Sequence, residues 1–369
     1  MHGKKRPMVV GWRILLAAVL CLAASTVSFR SAQAATEAFS RPALLEPQIG
    51  FWVDIFTAYS WRDFVLVDRD DPYKVYEVYH LPGDGCPSRD DIDWVNAYLK
   101  KKYGDILLHL AIGHDPVGSD EHRVADMYKD RTSYALRLAA ENLRVQEGLK
   151  ERFREGLLRA KYYRPTMEKI FKTAGLPVEL VTLAQVESGF ERGAKSSAGA
   201  LGIWQFTRAT GKHYMTIRGR HDDRLNPTRE TEAAAKLLRS NYETLGDWPL
   251  AITAYNYGTA GTARAAEQCG GDYCKILQTY NGPHFGFAVK NYYAEFLAAM
   301  QVHKYEDDYF PGIAGEPAIV PRALPVQPAK VHTASAQGAP AHTAQLIQVS
   351  APTHHHGRKH HAHKHRHSA

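Results

Sequence analysis

Glu187 is the side chain best placed to do chemistry. It closes an apolar run of Val178, Leu180, Val181, Leu183, Ala184 and Val186. Ser188-Gly189-Phe190 follows, and then the segment Gly199-Ala200-Leu201-Gly202-Ile203-Trp204-Gln205-Phe206. A carboxylate among apolar side chains loses hydration, and one at the carboxyl end of a helix faces a negative partial charge. Both effects favour the protonated form. An acid that keeps its proton near neutral pH can protonate a departing glycosidic oxygen. Taken by its spacing alone, Glu187 fits a solvated glutamate at a helix end better than a working acid.

The elements that must hold this acid are helices. Gly175-Leu176-Pro177 marks a helix start, with proline in the first turn and Glu179 near the positive end of the dipole. The apolar run that follows covers nearly every side of that helix, which predicts burial. Further helices are expected over residues 206–212, 228–245, 249–256, 258–267 and 287–302, so the class is mainly α. Ahead of them, 64–67 and 75–79 are short β-type runs separated by Asp70-Asp71-Pro72, which reads as a small hairpin. Pro82-Gly83-Asp84-Gly85 breaks the chain. Residues 92–103 and 120–163 read as helical, with Leu136, Leu143, Leu149, Phe153 and Leu157 at helical spacing. Residues 36–50 show little periodicity and read as an extended lead-in. The front half carries no recognisable catalytic set.

Charge gives an address rather than a partner. The chain of 369 residues carries +7, but residues 1–34 hold five bases and no acid, and residues 303–369 a surplus of three, leaving −1 on residues 35–302. A nearly neutral body gives no support for nucleic-acid binding. Lys4, Lys5, Arg6 and Arg13 precede an apolar run over 14–24, and a more polar stretch ends in Ala32-Gln33-Ala34. That order is a secretory signal with cleavage after Ala34, and the apolar run is too short for a membrane span of about 20 residues. A retained anchor is the alternative; Leu20 before Cys21 argues against lipid attachment. Export favours a disulfide between Cys269 and Cys274 across Gly270-Gly271-Asp272-Tyr273, with Cys86 unpaired.

Beyond Tyr305 the composition turns to Pro, Ala, Thr and Gln, and eight of the final 16 residues are histidine. Such a tract cannot bury a face and reads as a disordered, weakly basic tether. His354, His355, His356, His360 and His361 are also candidate ligands for a weakly bound divalent metal. The solvated tether is the favoured reading.

Taken in order, Glu187-Ser188, Ser196, Gly199-Ala200 with Gly202-Ile203-Trp204-Gln205, Ala254-Tyr255-Asn256-Tyr257-Gly258 and Asn291-Tyr292 resemble the motifs of the family 1 lytic transglycosylases. These share the goose-type lysozyme fold. Residues 176–258 are most similar to the membrane-bound lytic transglycosylase D group, and Phe51-Trp52-Val53-Asp54-Ile55-Phe56-Thr57 is similar to that group's leader region. The resemblance implies a lysozyme-like catalytic domain over 161–305, behind a signal at 1–34 and an α+β accessory region at 35–160, and ahead of the Pro/Ala/His-rich tail at 306–369.

It also implies an exported enzyme of the periplasm or cell envelope that needs no cofactor. The enzyme would cleave the β-1,4 bond between N-acetylmuramic acid and N-acetylglucosamine in peptidoglycan and leave a 1,6-anhydromuramoyl end. Envelope proteins are further candidate partners. Glu187 would serve as acid and then base. Ser188 and Ser196 would hydrogen-bond beside it, Gln205 would contact a sugar N-acetyl or hydroxyl group, Tyr255 and Asn256 would shape the cleft floor, and Tyr292 would orient the acid. Gly199 and Gly202 would let the glycan approach the backbone. Trp204 and Phe206 fit core packing or sugar stacking.

Two departures from the family pattern stand out: Glu191-Arg192 in place of Asn-Pro, and Ala288-Val289-Lys290 in place of Glu-Thr-Arg. Two rival readings are a hydrolytic muramidase on the same fold and a non-catalytic glycan-binding or metal-buffering envelope protein.

Overall fold

The structure, a computed structural model, describes residues 38–128, 132–219 and 221–321. The expected signal over 1–34 and the tail histidines His354, His355, His356, His360 and His361 lie outside the described residues. The fold is mainly α, with two hydrophobic cores on opposite faces of one small sheet.

Helix α1 (Glu46–Thr57) leads into strands β1 (Asp63–Asp68) and β2 (Val75–His80), which form the expected hairpin. After them come α2 (Arg89–Ala111), α3 (Gly118–Met127), α4 (Ser133–Glu141), strand β3 (Leu143–Glu147) and α5 (Lys150–Thr173). The sheet order is β2-β1-β3, all antiparallel, with Val65 opposite Val78 and Leu66 opposite Val145. Because successive strand residues face opposite sides, Phe64 and Leu66 enter one core while Val65 and Val67 enter the other.

Strand β3 corrects the helical reading of 120–163. Leu143 and Val145 pack on the core beneath α2, α3 and α4, and Arg144 between them points to the opposite face, its guanidinium 3.9 Å from the centre of the Phe287 ring. Pairing with β1 therefore overrides a helical spacing that the isolated segment displays. Helix α2 starts earlier than expected because Ser88 and Asp91 form a capping box. Ser88 Oγ accepts from the Asp91 N–H at 3.1 Å, and Asp91 Oδ2 from the Ser88 N–H at 3.0 Å.

The larger core lies on the other face of the sheet. After α5 the chain makes a 3-10 turn (Val178–Thr182) and the short helix α6 (Leu183–Ser188), then α7 (Arg208–Tyr214), α8 (Pro227–Leu245) and α9 (Trp248–Tyr257). Then come α10 (Thr259–Cys269), α11 (Tyr273–Thr279) and α12 (Phe287–Lys304), followed by a last helical turn (Glu306–Tyr309). Helix α12 is apolar and buried on nearly every side, the pattern of a central helix, and α1 lies along it. Trp52 Nε1 of α1 donates to Asn291 Oδ1 at 3.1 Å, and the Tyr293 hydroxyl donates to the Ser40 carbonyl at 2.8 Å. The N-terminal segment thus fixes α12 through the residues on either side of Tyr292.

Three further expectations are corrected. Residues 46–50 belong to helix α1, with Pro47 in its first turn, rather than to an extended lead-in. Cys269 and Cys274 are both free, because they stand on separate helices and the Cys269 Sγ turns to the Thr279 Oγ1, 3.7 Å away. Residues 306–321, placed by composition in an unpacked tail, are held against α5: Phe310 and Ile313 are buried, and Lys161 Nζ donates to the carbonyls of Ile313 at 2.5 Å and Glu316 at 2.8 Å. Among the described residues, no helix is long and apolar enough to cross a membrane.

Candidate active site

Glu187 sits in the last turn of α6, and Gly189 ends the helix in the left-handed conformation at φ 58°. The surroundings are apolar enough that burial pushes the Glu187 carboxyl up to about 7, against the opposing pull of the Tyr292 hydroxyl, which donates to Glu187 Oε1. Burial and the facing carboxylate in turn hold the Tyr292 phenol well above its usual range. Tyr293, its neighbour in sequence, is turned away to Ser40. Among the described residues, Tyr292 makes the one hydrogen bond to this acid.

The turn over 199–206 is tied to α6 through the residue next to Glu187. Ser188 Oγ donates to the Ile203 carbonyl at 2.8 Å and accepts from the Glu191 N–H at 3.2 Å, so its hydroxyl ties α6 to the turn. Ser196 Oγ accepts from the Ala200 N–H at 3.0 Å and shapes the loop ahead of it. Tyr255 of α9 donates its hydroxyl to the Trp204 carbonyl at 2.8 Å. Gln205 is buried with a positive φ of 49°, and its Nε2 donates to the carbonyls of Ala194 at 3.0 Å and Gly202 at 2.7 Å. Its Oε1 and the Asn256 Oδ1 are buried acceptors with no hydrogen-bond partner among the described residues.

Two carboxylates went unnoticed in the sequence. Glu230, in the first turn of α8, is 1% exposed and accepts from the Ile203 N–H at 2.9 Å and the Trp204 N–H at 2.8 Å. It explains Gly202, whose φ is +90° and where a Cβ would overlap the Arg224 carbonyl oxygen and Glu230 Oε1. That glycine answers an internal close approach, whereas Gly199, at φ +81°, faces open space. Glu295 lies three residues beyond Tyr292 on α12 and is 3% exposed. Burial and the nearby Glu187 charge push it up to about 8, with Arg144 pulling the other way. A lone acid in an apolar helix, on the same face as Tyr292, is the signal that would have found it.

The remaining aspartates are engaged elsewhere. Asp222 Oδ2 accepts from Arg224 Nη2 at 2.7 Å, and this pairing outweighs its partial burial to hold the carboxyl below the usual range. Asp223 Oδ2 accepts from the Thr216 N–H at 2.9 Å and Oδ1 faces His221 at 2.7 Å, while Asn226 caps α8. Trp204 is fully buried and stacks on Phe171 at 5.5 Å, and Phe206 is 2% exposed, so both are core residues. Two cavities, of about 440 and 600 Å³, are lined by Arg41, Tyr73 and Gln301 and by Tyr214, His221 and Lys236 respectively, and neither includes Glu187. Among the described residues, no cluster of three His, Cys, Asp or Glu side chains could hold a metal.

A mainly α domain that brings one protonatable glutamate, a tyrosine and a glycine-rich turn together is of the lysozyme-like class. Residues 167–281 match the transglycosylase SLT domain. The chain is 38% identical over 110 residues to membrane-bound lytic murein transglycosylase D of Escherichia coli (strain K12), covering 29% of this chain and 24% of that protein; the protein of the same name from Escherichia coli O6:H1 has the same identity and coverage. It is 36% identical over 122 residues to peptidoglycan transglycosylase gp16 of Escherichia phage T7, covering 31% of this chain and 9% of that protein. The chain therefore spans about a quarter of the length of the first curated relatives it matches.

Proposed function

We propose that this protein is an exported peptidoglycan lytic transglycosylase of the bacterial envelope. It cleaves the β-1,4 bond between N-acetylmuramic acid and N-acetylglucosamine without water. The observation that carries the reading is Glu187, which keeps its proton to about pH 7 and has the Tyr292 hydroxyl on one oxygen. The transglycosylase match over 167–281 supports the same reaction class.

In this mechanism Glu187 gives its proton to the glycosidic oxygen as the bond to C1 of the muramoyl residue breaks, and the leaving sugar departs as an alcohol. The substrate's own N-acetyl oxygen holds C1 in the interval, in place of a second carboxylate. Glu187, now ionised and stabilised by Tyr292, takes the proton of the C6 hydroxyl as O6 bonds to C1 and the N-acetyl oxygen leaves it with its electron pair. A 1,6-anhydro ring results, and the acid is again protonated. Among the described residues, Asp222 and Asp223 are paired, and Glu230 and Glu295 are too buried to meet a sugar. The unpaired acceptors on Gln205 and Asn256 are buried, so the turn must shift before they meet the N-acetyl amide and hydroxyl donors of the strand. Ser188, Ser196 and Tyr255 support the turn that presents them.

Digestion of purified murein followed by mass analysis tests the proposal. Muropeptides with anhydromuramoyl ends, each one water lighter than the reducing form, are expected. Reducing ends alone would assign the hydrolytic muramidase reaction, and unchanged murein would leave a binding protein.

A further inference from the structure

On the outer surface of the smaller core, away from Glu187, three aromatic rings stand together. Trp94 and Tyr98 are one turn apart on α2, with ring planes 2° from parallel and centroids 5.3 Å apart. Tyr79 of β2 leans against both, at 58° and 6.2 Å from Trp94 and at 57° and 5.8 Å from Tyr98. Trp94 is 54% exposed and Tyr98 40%, whereas Val95 and Leu99 on the other side of the same helix are fully buried. The helix fills its core without the two rings and leaves both of them in water.

Size and chemistry select the occupant. Two rings at about half exposure offer on the order of 200 Å². A stable protein interface takes about 800 Å² from each partner. The rim carries charge of both signs, with the Lys101–Asp105 pair at 2.7 Å and Asp93 paired to Arg89 at 3.1 Å, where an interface core would be apolar. A pyranose ring has what such a patch accepts: one face of C–H groups for the outer face of the Trp94–Tyr98 stack, and an edge of hydroxyl and amide groups for water and the charged rim.

We propose that Trp94, Tyr98 and Tyr79 form a carbohydrate platform separate from the Glu187 cleft, which takes a β-1,4-linked N-acetylhexosamine strand. This rests on the reading of the protein as an enzyme of glycan strands, since a polymer longer than one cleft can meet both places. The platform raises the residence of the enzyme on intact wall material and leaves the chemistry at Glu187 unchanged.

The test uses the full chain carrying Glu187→Gln, so that nothing is cleaved, in cosedimentation with insoluble peptidoglycan before and after an amidase removes the stem peptides. Adding Trp94→Ala with Tyr98→Ala should weaken binding about tenfold to both materials, the scale of one aromatic contact. Trp94→Phe should retain most of the affinity. In the active chain the double substitution should leave turnover of a short soluble glycan unchanged and slow the digestion of intact sacculi. Equal binding by the two chains overturns the proposal, as does a dependence confined to peptide-bearing material. A homodimer seen by sedimentation that the double substitution dissolves, with glycan binding intact, also overturns it. If the active chain fails to cleave the soluble glycan while the tenfold difference persists, the platform stands and the proposed reaction falls.

Discussion

Glu187 on α6 and Glu230 on α8 belong to helices tied to the same glycine-rich turn, and their surroundings differ in hydrogen-bond partners and in exposure. Glu230 is enclosed and both its oxygens accept backbone N–H groups, from Ile203 at 2.9 Å and Trp204 at 2.8 Å. Burial pushes its carboxyl up, and those two donors together with Arg224 pull it back. Glu187 has a single phenol as partner and an apolar wall, and it is only half-buried. Burial alone therefore does not mark a working acid. What distinguishes Glu187 is a carboxyl with capacity left over: it is partly exposed, and no backbone donor among the described residues occupies its oxygens.

Replacing each acid in turn is the sharpest way to break that comparison. Glu187→Gln should lower anhydromuropeptide release by about 10²–10⁴-fold, the usual contribution of a general acid, with the fold intact by circular dichroism. Survival of cleavage would move the chemistry elsewhere. Glu230→Leu should do the reverse in kind, costing about 2–5 kcal/mol of stability in urea unfolding because two buried N–H groups lose their acceptor. A loss under 1 kcal/mol would show that the turn does not depend on that carboxylate.

Glu295 sharpens the comparison through pH. Its folded value of about 8 lies above the ordinary glutamate value of 4.5, so the folded state binds the extra proton and stability declines as pH rises between the two. Glu295→Gln removes that decline. Above pH 8 the variant should be more stable than the parent by on the order of 1–3 kcal/mol, and near pH 4 the two should converge. A parallel offset at all pH values would mean a packing effect instead.

The smallest effect concerns Tyr292. Since the acid must carry its proton, kcat/KM should fall above about pH 7. The Tyr292 hydroxyl stabilises the ionised form, so Tyr292→Phe should move this limb to higher pH by some tenths of a unit and lower the plateau about tenfold. A limb moved downward would reverse the role assigned to the phenol.

Much of this site is legible in the chain. The apolar run before Glu187 forecasts a raised carboxyl because hydration loss depends on composition nearby. Gly189, Asn226-Pro227 and Gly246 punctuate helices as local rules require. The helices over 227–245, 248–257 and 287–304 fall within a residue or two of their expected bounds. Strand β3 was not legible, since its partner β1 is 75 or more residues away and the segment alone has helical spacing. Neither was the buttressing of Tyr292, which depends on Trp52 reaching Asn291 across 239 residues.

The sequence by itself determined which chemistry is available here: one glutamate in apolar company, a glycine-rich turn and a tyrosine on an apolar helix. Those properties are set by residue type and short spacing. Only the tertiary structure decided which groups are free to act. It gave Tyr292 rather than Tyr293 to Glu187, assigned Gly202 to an internal contact, kept Cys269 and Cys274 apart, and left Trp94 and Tyr98 in water. The physical reason is that hydrogen-bond capacity and burial are properties of neighbours in space, and elements distant in sequence supply those neighbours.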